Sequence, residues 1–352
     1  MNIPTEPIGS IPRPAFLQKG MADLTAGKIS PEELADLEDK ALIDTIRRFE
    51  ETGSPVITDG EQGKPSFLTY PLSGAALAPD GIVIPFADGH TRRLPRLTAG
   101  PFSYQVHADE YLRKARIHAT KPVKQAVIAA SALSLIYPEN GLDGYSQAEF
   151  LADLVDEAEA DIRRSLEAGA ACVQIDFTEA RLALKMDPSG GLLRSFIDLN
   201  NSVLERFSDD EAAKIGVHSC PGGDQDSPHS LDVGYGELIP MLFELRAGNF
   251  YLQMASETDP RKVLKTVQQH ARPEQRIFIG VIDPIDPRVE TAEEVRDRVL
   301  EAAEFISPAR LGTCDDCGFS PFADDLSTSR DLAFAKIAAR VEGTRLAAEA
   351  VS

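Results

Sequence analysis

The chain has 352 residues, enough to bury a large core, and its 43% hydrophobic and 26% charged residues are ordinary for a globular protein. Its formal net charge of -20 argues against a nucleic-acid partner, because phosphate binding needs a basic surface. It contains no run of eighteen apolar residues and no basic-then-apolar leader, so we expect no membrane partner and a cytoplasmic location. Four scattered cysteines do not make a secreted disulfide framework, which leaves ligand, redox or core roles.

The N-terminal part of the chain predicts two short strands separated by a capped helix. Residues 7–14 predict a first strand that turns sharply at its Gly-Ser pair. A helix over 31–51 follows, opened by a capping box between Ser30 and Glu33. Residues 56–61 predict a second strand that ends in two carboxylates.

A Gly- and Pro-rich segment at 73–104 interrupts this alternation. Its residues 82–86 alternate between the two faces of a strand, which predicts a hairpin excursion rather than a core element. Such an excursion could act as a lid over a site or as a contact between two copies of the chain.

Six further apolar strands alternate with helices in the rest of the chain. The predicted strands cover residues 125–129, 172–176, 214–218, 249–253, 277–283 and 310–314. The predicted helices cover residues 146–169, 192–206, 235–246, 291–306 and 329–350, with capping boxes at the start of the first and fourth. We expect a Gly- and Asp-rich loop at 221–236 to stand over the strand ends.

Eight strands that alternate with helices predict parallel βα units. Eight units close most naturally into one (β/α)8 TIM barrel, here a single domain over residues 1–352 with the hairpin excursion. An open doubly wound sheet is the competing fold, but no Gly-rich phosphate fingerprint follows the first strand. In a barrel, polar residues at the strand ends converge on one mouth. They are Ser10, Glu61, Asp176, His218, Cys220, Gln253, Asp283 and Cys317.

Three of these residues form a candidate metal site. His218 and Cys220 lie two positions apart at a strand tip, so one ion could contact both side chains. Cys317, in the loop after the last strand, supplies a third ligand. Three N/S ligands with an open fourth position are typical of catalytic zinc, whereas the alternative is a core histidine beside a buried thiol. Cys314 fits a core residue, although a redox pair of Cys314 and Cys317 is also open.

Carboxylates at strand ends point to an amino-acid-like substrate. Glu61 and Asp176 are costly to bury unless they are paired or solvated, which favours a substrate ammonium as their partner. An ion pair with Lys64 or Arg181 is the alternative.

His229 and Asp283 are candidate catalytic groups. His229, in the loop over the mouth, is a candidate proton donor, although a surface histidine fits equally well. Asp283 and Glu179 are weaker cases of the same reasoning as Glu61 and Asp176, since a carboxylate at a strand end is costly to bury without a partner.

Zinc lowers the pKa of a bound thiol, and two protein thiolates leave the ion with little positive charge. These features favour attack of a substrate thiolate on an alkyl carbon over hydrolysis by zinc-bound water.

These motifs, taken in order, resemble the C-terminal catalytic barrel of the cobalamin-independent methionine synthase family. They are Ile8-Gly9-Ser10 with Pro12, Asp59-Gly60-Glu61, residues 173–176, His218-x-Cys220, residues 280–283 and Asp316-Cys317-Gly318. The resemblance implies methyl transfer from a polyglutamylated methyltetrahydrofolate to zinc-bound homocysteine. It also implies that His218, Cys220 and Cys317 are zinc ligands. Ser10, Glu61 and Asp176 would then bind the amino-acid substrate.

The sequence departs from the family pattern at three places. The zinc-site Glu of the family aligns with Gln253, which becomes the candidate fourth ligand, with Glu257 as the nearby alternative. The catalytic His of the family aligns near Ile285, and the chain contains no Trp, so the Trp of the family's pterin site is missing. We therefore expect Zn²⁺, a small-molecule thiol and an alkyl donor that could be smaller than the polyglutamylated folate.

Two other functions stay open at this point. In the related epoxyalkane:coenzyme M transferases a zinc-bound thiol opens an epoxide, and Arg13, Lys64 or Arg181 could then bind a sulfonate or carboxylate. Arg13 is therefore a candidate substrate-binding residue. The third possibility is a zinc-binding barrel without turnover. The sequence does not decide between a monomer and a homo-oligomer.

Overall fold

The structure is a computed structural model that describes residues 3–351. Its helices are α1 (Ala15–Thr25), α2 (Pro31–Glu51), α3 (Ala108–His118), α4 (Ala130–Ser134), α5 (Gln147–Glu167), α6 (Glu179–Met186), α7 (Gly191–Leu204), α8 (Asp209–Ala212), α9 (Tyr235–Leu242), α10 (Pro260–His270), α11 (Ala292–Ala303) and α12 (Arg330–Ala350), with one 3-10 turn at Tyr70–Leu72. Its strands are β1 (Leu77–Ala78), β2 (Val83–Pro85), β3 (Thr91–Arg93), β4 (Arg96–Leu97), β5 (Gln125–Ile128), β6 (Val173–Asp176), β7 (Ile215–Ser219), β8 (Gly223–Asp224), β9 (Ser227–Pro228), β10 (Asn249–Leu252), β11 (Arg276–Ile282) and β12 (Leu311–Asp315).

The central element is a parallel sheet with the strand order β12, β11, β10, β7, β6 and β5. Parallel bridges extend both edges of this sheet: Thr5 pairs with Thr313 beside β12, and Ile57 pairs with Val123 beside β5. The two N-terminal segments are then adjacent and complete the closure. The predicted TIM barrel is confirmed, and the carboxyl ends of its strands form one mouth.

The first two predicted strands are wrong as regular elements. Residues 7–14 and 56–61 contain no strand, and the two segments are joined instead by a hydrogen bond from the Ile11 amide to the Gly60 carbonyl at 3.0 Å. The three prolines within 7–14 lack the N–H that a ladder of hydrogen bonds requires. These segments therefore close the barrel through isolated contacts.

Local sequence signals account for the helices that were predicted correctly. The capping boxes form as expected: the side chains of Ser30, Ser146 and Thr291 each accept a hydrogen bond from the amide three residues later. Six helices were not predicted: α1, α3, α4, α6, α8 and α10. Of these, α10 carries a visible start signal, because Asp259 caps it and Pro260 occupies its first position.

The excursion at 73–104 is a pair of antiparallel ribbons, in which β2 pairs with β3 and β1 pairs with β4. Inside the barrel, a small apolar cluster separate from the main core forms what we call the barrel floor. Its members are Ile8, Cys172, Tyr251, Phe278 and Cys314. Within the described residues, no helix has the length and apolar character needed to cross a membrane.

Candidate metal centre and substrate cavity

The three predicted metal ligands come together at the barrel mouth. His218 lies on β7, Cys220 follows the end of that strand, and Cys317 lies two residues beyond β12. Their ligand atoms all lie within 4.8 Å of one another, and the two sulfurs are 3.2 Å apart. One imidazole and two thiols at this spacing suit the ligand preferences of zinc.

The orientation of His218 leaves one ring nitrogen for a ligand. Nδ1 lies 3.2 Å from the Tyr251 carbonyl, which can only accept, so Nδ1 carries the proton. Nε2 is buried and has no hydrogen-bond partner within residues 3–351. A buried lone pair without a partner is costly in an apolar setting, and a metal ion would satisfy it. A backbone carbonyl that fixes the tautomer of a histidine in this way is common at metal sites.

The two mouth thiols hold their protons differently. The Cys220 thiol donates a hydrogen bond to the Cys317 sulfur, which lowers the pKa of Cys317. The same contact, together with burial, raises the pKa of Cys220. Metal binding would require both sulfurs as thiolates.

Asp316, which directly precedes Cys317, anchors the loop that carries this ligand. Its carboxylate accepts hydrogen bonds from the amides of Met254, Ala255 and Ser256 at 2.8 to 2.9 Å, and from the Ser256 hydroxyl at 2.7 Å. Burial raises the pKa of Asp316 to about 7 in spite of these donors. The loop after β12 is thereby tied to the segment after β10.

A cavity of about 430 Å³ opens beside the metal-ligand group. Its polar wall includes Ser10, Glu61, Asp176, Glu179, His218 and Cys317. Its apolar wall includes Phe67, Leu68, Ile84, Phe86, Leu94 and Leu182. The volume suits a small-molecule ligand, and the mixture of apolar surface with a few convergent polar groups is typical of a binding site.

Glu61 is held in an unusual backbone conformation. Its φ is 57°, in the left-handed region that non-glycine residues rarely adopt, and it is 2% exposed. The Lys64 ammonium lies 3.0 Å from Glu61 Oε1 and also donates to the Ala126 carbonyl at 3.0 Å. The ion pair that the sequence offered as an alternative is therefore present. Glu61 therefore lines the cavity while its carboxylate is paired with the Lys64 ammonium.

Arg13 does not lie where a substrate-binding residue would. Its guanidinium donates to the backbone carbonyls of Glu61 at 2.7 Å, Lys64 at 2.9 Å and Ser320 at 2.5 Å. It is buried and is not among the residues lining the large cavity. The structure gives Arg13 the role of holding the Glu61 turn and the loop after β12 together.

Asp176 and Glu179 are two buried acids on the same side of the cavity. Asp176 is paired in register with His218 on the adjacent strand, and burial raises its pKa to about 7. Burial likewise raises the pKa of Glu179 to about 8. One oxygen of Glu179 accepts from the Ser131 hydroxyl, while Oε2 has no partner among the described residues.

His229 lines the cavity as a neutral imidazole. Burial, followed by the charges of Lys185 and Arg181, lowers its pKa to about 4. Its Nδ1 lies 2.9 Å from the Ser230 hydroxyl, and its ring packs edge-on against Phe86 with the centroids 5.5 Å apart. At neutral pH these contacts do not favour the imidazolium that the expected proton donor would need.

Gln253 and Glu257, the two candidates for a fourth ligand, are bound to Arg181. Its guanidinium donates to Gln253 Oε1 at 2.9 Å and to Glu257 Oε1 at 2.8 Å. The Gln253 amide nitrogen donates to Ser256 Oγ at 2.5 Å. Both functional atoms of Gln253 are therefore already engaged, so metal binding by this side chain would break a buried network. The same contacts occupy Arg181, which had been a candidate for binding a substrate anion.

Asp283 lies in a separate, smaller cavity of about 40 Å³ on the far side of Cys317. Its Oδ1 accepts from the Ile285 amide at 3.0 Å, and burial raises its pKa. It is not among the residues lining the large cavity, so the structure does not bring this predicted catalytic residue to the same wall as Asp176.

The way in which the excursion docks on the mouth was not predicted from the sequence. Arg92 on β3 forms ion pairs with Asp224, which is fully buried, and with Asp324 at 2.9 Å. The Asp88 amide donates to the Ser227 hydroxyl at 3.1 Å. The alternating segment at 82–86 predicted the ribbon, but only the folded barrel shows that the loop next to Cys220 is its partner.

A (β/α)8 barrel with a cavity and a group of potential ligands at the carboxyl ends of its strands has the general architecture of barrel enzymes. The family described as "Cobalamin-independent synthase, Catalytic domain" matches residues 3–340, and the chain belongs to this family. It is a cobalamin-independent, methionine synthase-like catalytic domain, in agreement with the resemblance seen in the motifs.

Curated relatives match over nearly the whole chain. A methionine synthase of Sulfurisphaera tokodaii is 24% identical over 353 residues, covering 99% of this chain and 93% of the relative. A methionine synthase of Saccharolobus islandicus is 25% identical over 352 residues, covering 99% of this chain and 95% of the relative.

Solved structures share the fold. A B12-independent methionine synthase from Shewanella sp. W3-18-1, in complex with selenomethionine, superimposes with a TM-score of 0.79 at 20% identity and covers 100% of this chain and 99% of that chain. A putative vitamin-B12 independent methionine synthase from Listeria monocytogenes gives a TM-score of 0.73 at 21% identity, covering 98% of each chain.

Proposed function

We propose that this protein is a zinc-dependent thiol S-alkyltransferase that moves a methyl or other small alkyl group to a thiol such as homocysteine. The observation that carries the proposal is the N/S/S ligand group of His218, Cys220 and Cys317, which lies in the wall of a cavity beside buried carboxylates. The curated relatives are named methionine synthases. The Shewanella relative is in complex with selenomethionine, the selenium analogue of an S-methylated homocysteine.

The ligand residues fit zinc by their chemistry. His218 Nε2 lacks a partner within the described residues, and the two sulfurs are close enough to share one ion. When bound, zinc would lower the pKa of a coordinated substrate thiol so that the sulfur is a thiolate at neutral pH. The Tyr251 carbonyl keeps the imidazole in the required tautomer, and Asp316 holds the loop of Cys317 in place.

The carboxylates in the wall would orient an amino-acid thiol. Glu61 and Asp176 lie in the same cavity wall as the metal ligands, and a substrate ammonium could bind between them. An added cation beside Asp176 would favour its ionised form, since burial alone keeps the pKa of this carboxyl near 7. The apolar wall would disfavour water beside the sulfur, which would favour alkyl transfer over hydrolysis of the donor.

We propose that the 73–104 excursion serves as a lid on this cavity rather than as a contact between two copies. Ile84 and Phe86 contribute to the cavity wall, and Arg92 fastens the ribbon to the buried Asp224. A segment with these inward contacts limits the size of the alkyl donor. This feature agrees with a donor smaller than a polyglutamylated folate.

The epoxide-opening alternative gains no support from its expected anion-binding residues. Arg13 is bound to backbone carbonyls, Lys64 to Glu61, and Arg181 to Gln253 and Glu257. A sulfonate or carboxylate would have to displace one of these internal partners, at a cost of several kcal/mol for a buried charge pair.

The deciding experiment is a parallel assay of the zinc-loaded protein. Methyl transfer to homocysteine from methyltetrahydrofolate is measured beside the opening of 1,2-epoxypropane by homocysteine, cysteine and 2-mercaptoethanesulfonate. We expect homocysteine to be methylated, with activity lost on chelation and regained with zinc. Epoxide opening without methyl transfer would favour the alternative. Stoichiometric zinc without alkylation of any thiol would indicate a metal-binding barrel without turnover and would overturn the proposal.

A further inference from the structure

Glu179, the first residue of α6, is an acid in the cavity wall to which the proposed reaction has so far given no task. Its side chain is 5% exposed, and the residue lines the cavity together with Asp176 and His218. Buried carboxyls normally have a hydrogen bond to each oxygen. Glu179 has one for Oε1 and, within residues 3–351, none for Oε2.

A chain of hydrogen bonds determines which oxygen of Glu179 holds a proton. The Asn200 amide nitrogen donates to Ser131 Oγ at 2.8 Å, while the Asn200 amide oxygen accepts from the Ser131 backbone at 3.2 Å. The Ser131 hydroxyl therefore uses its own hydrogen to donate a hydrogen bond to Glu179 Oε1. Because Oε1 is an acceptor, the acidic hydrogen of a neutral Glu179 lies on Oε2, the atom without a partner.

The surroundings of Glu179 favour its neutral form. The groups that face it are the carboxyl of Asp176 from β6 and the uncharged Ser131 and Asn200 from α4 and α7. Burial and the negative charge of Asp176 both raise the pKa of Glu179, which reaches about 8. At neutral pH the cavity wall therefore holds a carboxylic acid whose O–H group has no partner within residues 3–351. The Oε2 atom itself has almost no accessible surface, so its contact with a donor requires the side chain to turn toward the cavity.

We propose that Glu179 is the general acid of the alkyl transfer: Oε2 donates a hydrogen bond to the departing nitrogen or oxygen of the alkyl donor and passes its proton to that atom. This assignment rests on the proposed thiol alkylation and adds the class of donor, namely one whose leaving atom is an uncharged hydrogen-bond acceptor. A donor of this kind releases a strongly basic leaving group unless it receives a proton, so an acid in position accelerates the step.

The step balances in atoms and electrons. The sulfur lone pair of the thiolate forms the new S–C bond, and the electron pair of the breaking C–N or C–O bond stays on the leaving atom. That atom takes the Oε2 proton, so Glu179 becomes a carboxylate. The substrate thiol releases one proton to solvent on binding, and Glu179 takes one proton from solvent after product release, so the proton count balances. In the net reaction, the S–H bond and the C–N or C–O bond of the donor are broken. The S–C bond and an N–H or O–H bond are formed.

The test compares donors that need a proton with one that does not. Glu179→Gln keeps the oxygen that accepts from Ser131 but has no acidic hydrogen, and Glu167→Gln, on the exposed end of α5, is the matched control. Homocysteine is the thiol; methyltetrahydrofolate and 1,2-epoxypropane are the proton-demanding donors, and methyl iodide is the donor that needs none. For Glu179→Gln we expect kcat with a proton-demanding donor to fall about 100-fold or more, while the rate with methyl iodide stays that of wild type. Glu179→Asp should recover part of the loss.

A second measurement reads the proton itself and needs no alkyl donor. Infrared spectra at pH 7 should show carboxylic-acid C=O absorption that is weaker in Glu179→Gln than in wild type and unchanged in Glu167→Gln. Absence of that difference overturns the assignment, and so does an equal loss of rate with all three donors. A wild type that alkylates homocysteine only with methyl iodide also overturns it while leaving thiol activation intact. No alkylation with any donor would instead contradict the proposed function.

Discussion

The barrel holds two pairs of cysteines, one at its floor and one at its mouth, and the same residue type has different chemistry in the two places. At the floor, burial raises the pKa of Cys172 to about 12 and also raises the pKa of Cys314. At the mouth, the sulfurs of Cys220 and Cys317 are 3.2 Å apart, and the contact with Cys220 lowers the pKa of Cys317. Burial alone makes a thiol inert, whereas a second sulfur and an imidazole beside it create a group that could hold a metal ion.

Two buried lysines repeat the contrast between the floor and the mouth. Lys64 at the mouth has hydrogen bonds to Glu61 and to a backbone carbonyl, each 3.0 Å long. Lys124 at the floor lies 3.6 Å from Glu6 and 3.7 Å from the Tyr251 ring centroid, without a hydrogen bond among the described residues. The mouth is therefore built from specific polar contacts, and the floor depends more on packing.

The largest expected effect comes from exchanging one cysteine of each region for alanine. Cys317→Ala should abolish stoichiometric zinc binding and thiol alkylation, since losing a ligand costs more than the 10- to 100-fold known for residues that only support one. Cys314→Ala, three residues away, should keep both. Metal content by mass spectrometry and the homocysteine assay check this pair. Equal zinc content in the two variants would remove the distinction between mouth and floor.

The two lysines provide the next test. Lys64→Met leaves the carboxylate of Glu61 buried without its counterion and should lower the free energy of unfolding by about 3–5 kcal/mol. Lys124→Met removes a buried ammonium whose carboxylate partner still accepts from the Tyr251 hydroxyl at 2.5 Å, so we expect a much smaller loss. Urea denaturation at pH 7 measures both. A larger loss for Lys124→Met would mean that the floor, and not the mouth, depends on its ion pair.

Glu179 should make the free energy of unfolding depend on pH. The pKa of Glu179 rises from 4.5 in the unfolded chain to about 8 in the fold, so above pH 4.5 the unfolded state binds fewer protons than the folded state. Wild type should therefore lose stability from this group as the pH rises from about 4.5 to about 8. The free energy of unfolding of Glu179→Gln, relative to that of wild type, should therefore rise by roughly 3 kcal/mol from pH 5 to pH 8. Urea denaturation of both proteins across this range gives the difference. A difference that does not change with pH would show that Glu179 is ionised in the fold.

The smallest predicted effect concerns the lid. Arg92→Ala leaves the carboxylate of Asp224 buried without its guanidinium partner and should weaken the docking of the ribbon by about 2 kcal/mol. Arg96→Ala, which removes an exposed pair with Asp80 on the other ribbon, is the matched control and should have little effect. Hydrogen exchange at residues 83–93 measures the opening. Equal protection in both variants would contradict the role of Arg92 as the fastener.

The sequence predicted the parts of the fold that depend on local signals. Capping boxes located the N-termini of α2, α5 and α11, and apolar runs located the six strands of the sheet. The first two barrel segments could not be assigned correctly, because their place in the barrel depends on bridges to residues such as Val123 and Thr313 rather than on a repeating pattern. The helices α1, α3, α4, α6, α8 and α10 also escaped prediction, although α8 begins with a capping box at Ser208.

The site could be predicted as far as residue type and strand position determine it. His218, Cys220 and Cys317 are brought together because parallel strands end at one mouth. The partners of Arg13 could not be foreseen, since they are backbone carbonyls of turns that exist only in the folded chain. The same holds for Gln253, whose amide binds Arg181 from a different βα unit. Long-range hydrogen bonding, and not residue type, decides which polar side chains remain free for a ligand.

The most direct test of the proposed metal centre is X-ray absorption at the zinc edge, with and without homocysteine. The account predicts a zinc ion with two sulfur neighbours at about 2.3 Å, and a third sulfur neighbour at the same distance when homocysteine is added. The third sulfur should not appear with serine, which has no thiol. An unchanged sulfur count on adding homocysteine, or a protein that alkylates thiols without zinc, would contradict the claim that the mouth of this barrel activates a substrate thiol on a metal.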